Sequence, residues 1–242
     1  MTLHSSNAAL LLSGQARNFK KTYSGFKKYI LDPLGCDVFI NVSRDNDFKE
    51  NEFTTFLDDV DFNYNACLIT RDFELPRKHA WMKEFEPYEK RACKVKNPLR
   101  KMYHRNMLQI YYLERCWGLM DSWDKKYDVV IRSRMDMLIK TPIPDIDTDK
   151  MRVYTSQFGA THPGCCNDRF AVGGYEPMKV YCNRWTGFEG LEWDGEPDKN
   201  TIAECQLANY LDIHNVDYKK MEDMYAKRWY MENHKTVDRE TP

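Results

Sequence analysis

An apolar run, a helical stripe and a second apolar run open the chain. That order narrows the fold more than anything that follows it. "AALLLSG" (8–14) is a short apolar stretch stopped by Ser-Gly, which reads as a buried strand and a loop. Phe19, Tyr23, Phe26 and Ile30 then fall at steps of 4, 3 and 4, one face of a helix that Asp32-Pro33 is expected to end. "CDVFINV" (36–42) reads as a second strand. Strand, helix, strand is a βαβ unit, and such units build parallel sheets.

The rest of the chain continues the α/β pattern. Residues 47–63 are acidic with interleaved Phe and Leu, a short helix, and "NACLIT" (65–70) is a third strand candidate. Residues 71–97 are charged, carry Pro76 and Pro87 and show no period, so they read as an irregular excursion. Leu99, Tyr103, Met107, Ile110, Leu113, Trp117 and Met120 step by 4, 4, 3, 3, 4 and 3, the strongest helical stripe present. "MRVYTS" (151–156) and "DRFAVGG" (168–174) read as later strands. Met178, Tyr181, Cys182 and Trp185 form one more stripe, and Ile202, Cys205, Ala208 and Leu211 another. The polar tail, 221–242, is expected to wrap the surface.

Composition excludes several classes. Apolar residues make up 42% of the 242 residues, enough for a core. The 36 basic and 37 acidic side chains nearly cancel, so no global field draws the chain to nucleic acid or an anionic membrane. No apolar run approaches the roughly 18–20 residues that cross a bilayer, and the first residues lack a basic n-region. The eight cysteines show no repeated spacing and no C-x-x-C, which suits reduced, mostly buried thiols in a cytoplasmic protein. Cys165-Cys166 is the exception, open to a disulfide or a metal. There is no G-x-G-x-x-G and no G-x-x-x-x-G-K-[ST], so dinucleotide enzymes and P-loop ATPases are disfavoured.

The stretch most telling of function is "YDVVIRSRMDMLIK" (127–140), a core strand that ends in Arg132, Arg134 and Asp136. Side chains alternate along a strand, so Val130, Arg132, Arg134 and Asp136 share a side if the strand stays regular. In open parallel sheets, ligands bind at the carboxyl ends of strands. Guanidinium groups offer forked donors to phosphate, and a neighbouring carboxylate can hold a divalent cation. An Arg–Asp ion pair closing the strand fits the spacing equally well.

The same stretch resembles the strand that ends in the Asp-x-Asp motif of GT-A-type glycosyltransferases. Asp136 stands where the second Asp, the usual metal ligand, is found, and Arg134 stands where the first would be. "ALLLSGQARNF", "LDPLGCDVFINV", "DRFAVGGYEPMKVYC" and "AECQLANYL" are similar, in order, to segments of a GT-A-like group found in large DNA viruses and bacterial polysaccharide clusters. The resemblance implies one GT-A-like (Rossmann-like) domain over 1–242, with a mostly parallel central sheet flanked by helices. Its nucleotide-binding half would be about 1–140 and its acceptor and sugar half about 141–220. It implies a nucleotide-diphosphate sugar donor, a glycan acceptor and Mn²⁺ or Mg²⁺ on Asp136. A protein-borne cation, Arg134, would partly replace the metal's charge.

Site residues follow, each with an ordinary alternative. Ser13, Gly14, Gln15 and Arg17 would hold the nucleotide, or form a plain strand-to-helix turn. Arg132, Arg134 and Asp136 would meet the diphosphate. Asp168 would accept sugar or acceptor hydroxyls, and Gly173-Gly174 would let a sugar lie against backbone; either is also a turn feature. Glu204 is the candidate general base, although a helix start favours an acid in any case. Asp194 is the rival base, and Gln206 would bind either sugar. His214 and His162 are candidate extra metal ligands. The function expected is transfer of a sugar from a nucleotide-diphosphate sugar to a glycan hydroxyl. The alternatives are a sugar-phosphate nucleotidyltransferase and a non-catalytic sugar- or nucleotide-binding relative.

Overall fold

In the computed structural model the residues described are 7–16, 18–44, 48–71, 99–157, 165–187 and 203–228. Strand β1 (Ala8–Gly14) leads to a helix, α1, that starts as Phe19–Phe26, widens to a π turn over Lys27–Leu31 and closes as Asp32–Leu34. Asp32-Pro33 therefore does not end the helix. The wide turn falls where Pro33 withholds its N–H, and the stop is Gly35, left-handed at φ 55°. The elements that follow are β2 (Asp37–Arg44), α2 (Glu50–Asp59), β3 (Ala66–Arg71), α3 (Leu99–Asp121), β4 (Val129–Arg134), β5 (Met137–Ile139), β6 (Arg152–Ser156) and β7 (Phe170–Gly174). The chain continues with α4 (Tyr175–Cys182), α5 (Arg184–Gly187), α6 (Ala203–Ile213), β8 (Asp217–Met221) and β9 (Ala226–Arg228).

Seven strands form one sheet in the order β3-β2-β1-β4-β7-β6-β8. All its neighbours pair parallel except β7, which is antiparallel to both β4 and β6. The α/β reading is borne out: a mostly parallel central sheet flanked by helices in a single domain. The two halves share this sheet through the β4–β7 pairing.

The unbroken apolar run of β1 follows from burial on both faces, as parallel strands require. Leu10 and Leu12 face a core with Phe19, Phe26, Phe53 and Phe56 of α1 and α2. Ala9 and Leu11 face Leu113, Trp117, Met178, Tyr181 and Leu207 of α3, α4 and α6. Residues 221–228 do more than wrap the surface: Met221, Met224 and Ala226 are buried, Met221 closes β8, and β9 pairs with β5 in a separate two-stranded sheet. Positions 71–97 fall outside the described residues apart from Arg71, as do 229–242.

Topology marks one place in this fold. From β1 the chain moves one way to β2 and β3, and β4 lies on the other side of β1. Connections leave the carboxyl ends of β1 and β4 in opposite directions, the switch point where open α/β sheets place their ligands.

Candidate functional site

Ser13 is the register partner of Arg134 across that switch point. Ser13 is fully buried, and Gly14 turns the chain at φ 108°, a backbone that side chains other than hydrogen resist. Gln15 follows; Arg17 lies outside the described residues. On β4, alternation holds: Val129 and Ile131 enter one core, and Val130 enters the other. The turn after β4 is fixed from behind by Thr22 of α1, whose hydroxyl donates to the Met135 carbonyl at 2.5 Å.

Arg134 grips Asp136 with two hydrogen bonds, Nε to Oδ1 at 2.7 Å and Nη2 to Oδ2 at 2.9 Å. Its Nη1 donates to Oε1 of Gln109 on α3. The Gln109 amide donates in turn to Asp168 Oδ2 at 2.8 Å. Asp168 faces Arg169 Nε at 3.6 Å, and Arg169 Nη2 reaches Glu204 Oε1 at 3.1 Å. Asp136, Arg134, Gln109, Asp168, Arg169 and Glu204 thus form one chain of side chains along the rim.

Elements of both halves meet in this row because β7 runs against β4. Its amino end, with Asp168 and Arg169 just before it, comes to the same rim as the carboxyl end of β4. The start of α6 is joined there by the Cys166 N–H, which donates to the Glu204 carbonyl at 3.1 Å. Gln206, on the same turn of α6, is buried.

Charge in this row is balanced against burial. Burial alone pulls the Arg134 pKa down; Asp136 and Asp168 outweigh it, and the net direction is up. Burial alone raises the Asp168 pKa; Arg169, Arg132, Arg134 and Arg184 outweigh it, and the carboxyl is held below its usual range.

Several candidates occupy different places from those expected. Arg132 is not at the rim. It is 0% exposed, two residues deeper than Arg134 (roughly 7 Å), and its guanidinium nitrogens have no hydrogen-bond partner. Gly173 and Gly174 pair with Val130 and Val129 at the opposite end of the strands, because β7 is antiparallel. They serve packing: a Cβ on Gly174 would stand 2.3 Å from the Thr148 carbonyl oxygen. His214 follows the far end of α6, about 15 Å along the helix from Glu204, with its ring against Tyr210. It is not brought together with Asp136. Asp194 and His162 lie outside the described residues.

Sequence reasoning missed Gln109 and gave Arg169 no role. Gln109 sits beside the apolar stripe of α3, and nothing in its spacing distinguishes it from a solvated position. The cysteine pattern favours reduced thiols and leaves Cys165-Cys166 open to a disulfide or a metal; the bond that forms joins Cys165 to Cys205, 40 residues away in sequence. No Cys spacing signals that pair, and Cys166 beside it is a free, buried thiol.

The donor set does not suit a divalent ion at Asp136. Both of its oxygens accept from Arg134. Among the described residues no group of three or more His, Cys, Asp or Glu side chains is placed to share one. A cleft of about 580 Å³ lies between α1 and α2, bordered by Ala16, Phe19, Lys20, Phe48 and Asn51, and no side chain of the row lines it. A second, of about 490 Å³, lies on the outer side of α3 and α4 around Tyr111, Glu114 and Lys179, away from the row.

No family model matches the chain, and no curated protein does. Among solved structures, one titled "PaToxG Glycosyltransferase" aligns over 87% of this chain and 71% of its own, with a TM-score of 0.36 and 10% identity. A likeness that remote carries no argument about chemistry. Among the described residues, no helix is long and apolar enough to cross a membrane.

Proposed function

We propose that the chain is a glycosyltransferase that moves a sugar from a nucleotide-diphosphate sugar to a hydroxyl of a glycan acceptor. The observation that carries this reading is the charged row at the β1/β4 switch point, where Arg134 stands opposite Ser13 and next to the Gly14 turn. A cleft between α1 and α2, bordered by Ala16 just after the Gly14 turn, has room for a nucleoside.

In this scheme the Gly14 turn approaches the diphosphate with backbone, and Arg134 stabilises the charge that grows on the leaving group. Such preorganised electrostatics is usually the largest catalytic term. Asp136 holds the Arg134 guanidinium in position. Asp168 stays ionised and weakly basic among its arginines, which suits accepting hydrogen bonds from sugar hydroxyls rather than proton abstraction. Glu204 is then the described carboxylate best placed to take the acceptor proton.

The test is release of nucleoside diphosphate from a panel of UDP- and GDP-sugars. Release that rises with a glycan acceptor supports the reading. Pyrophosphate release from a nucleoside triphosphate and a sugar phosphate would replace it with nucleotidyl transfer. A second reading, a binding protein without turnover, is favoured by one observation: Arg134 and Asp136 already satisfy each other. A melting-temperature rise with donors and no release under any acceptor would establish it.

A further inference from the structure

The Cys165–Cys205 disulfide ties together the two strands of chain that carry the acidic end of the row. Cys165 is three residues before Asp168, and Cys205 adjoins Glu204, with their Cα atoms 4.6 Å apart. Non-covalent contacts run parallel to it, among them the Cys166 N–H to the Glu204 carbonyl and the Arg169–Glu204 ion pair, both at 3.1 Å. The rest of α6 is held independently, through Leu207, Ala208 and Leu211 in the core. Loss of the tie therefore frees the first turn of α6 without removing what keeps the helix on the sheet.

We propose that this cystine positions Glu204 against Asp168 and Arg169 and makes the site redox-dependent: competent when oxidised, uncoupled when reduced. The consequence for turnover rests on the glycosyltransferase reading; the local uncoupling does not. Cys165 is buried and Cys205 partly exposed, so a thiolate reaches the Cys205 sulfur first. An external dithiol is the reductant. Its attack breaks the S–S bond and leaves a mixed disulfide at Cys205 and a thiolate at Cys165, which takes up a proton. The second thiol of the reagent then closes a cyclic disulfide, releasing Cys205. Two electrons and two protons pass from the dithiol to the protein.

The experiment compares wild-type chain before and after dithiothreitol, with hydrogen exchange at residues 206–209, far-UV circular dichroism and nucleoside diphosphate release from UDP- and GDP-sugars. The expected result is at least tenfold faster exchange in that turn with unchanged circular dichroism. At least a tenfold loss of release should accompany it, restored by oxidised glutathione. Cys205→Ser should match the reduced chain and ignore dithiothreitol. Unchanged exchange and release on reduction overturn the proposal. Collapse of the circular dichroism signal also overturns it, because the bond would then be a plain structural staple. Faster local exchange in a chain that releases nothing even when oxidised upholds the positioning and sinks the glycosyltransferase reading.

Discussion

Arg134 and Asp136 face each other across the end of β4 and close a two-bonded pair at 2.7 and 2.9 Å. The pair is mostly buried, with side chains 16% and 11% exposed, and Gln109 takes the guanidinium's remaining nitrogen. A carboxylate in that state orients a cation, with both oxygens already accepting from it.

Metal removal is therefore expected to matter little. Nucleoside diphosphate release in EDTA should match release in Mn²⁺ within about twofold, a difference worth about 0.4 kcal/mol. Release that requires Mn²⁺ would show that Asp136 leaves Arg134 during turnover.

Asp136→Ala should abolish transfer and cost about 3 kcal/mol of stability, since it strands a mostly buried guanidinium. Urea titration and donor turnover check the two parts separately. Wild-type turnover in the variant would remove the pair from the mechanism.

Gln109→Leu breaks the bridge between Arg134 and Asp168, leaving both ions where they are. A loss of about 1–2 kcal/mol in stability is expected, with donor turnover down at least tenfold. Gln109→Glu should be worse, because it sets a second carboxylate against Asp168 within hydrogen-bond range. If both variants turn over like wild type, the row is not a functional unit.

Acid should unfold the protein through two identified carboxylates. Asp168 is held below its usual range against burial by four arginines. Asp37, at the other rim of the sheet, is shifted the same way: burial raises it, but Lys125, Tyr127 and Asn65 outweigh this by hydrogen bonds of 2.7, 2.9 and 3.2 Å. A depressed folded-state pKa gives stability that is present above the unfolded value, about 3.9 for Asp. That stability is lost as pH falls through the lower folded value. Melting temperature should stay level down to about pH 5 and fall below it. Asp37→Asn should flatten the fall; an unchanged profile would mean that other groups govern it.

Gly174→Ala distinguishes packing from sugar binding. Its Cβ would press on the Thr148 carbonyl at 2.3 Å, an overpacking cost of roughly 1–3 kcal/mol. The residue lies at the end of β7 away from the row, so donor-induced thermal shifts should survive. Loss of donor binding in a folded variant would restore the glycine to the site.

The parts legible in the sequence were those with period or polarity to read. β1, α1, β2 and the stripe of α3 announced a parallel sheet, and charges at the end of a core strand announced Arg134 and Asp136. Strand direction left no such trace. "RFAVGG" has the same apolar pattern whichever way it runs, so nothing in it shows that Gly173-Gly174 lie at the end of the strands away from Arg134. For the same reason the meeting of Arg134 with Asp168 and Arg169 was not foreseen. Gln109 is one amide on a long helix, and the Cys165–Cys205 bond depends on a distance in space that spacing does not encode. β5 and β9 are three residues each, too short for alternation to show.

Those two short strands decide where the chain can safely be trimmed. Met137, directly after Asp136, is paired with Arg228, so the last strand described props up the backbone that presents the Asp136 carboxylate. A truncation that reaches back into Ala226–Arg228 would unsettle that carboxylate from behind. A shortened expression product with poor turnover would then say nothing about the chemistry of the intact chain.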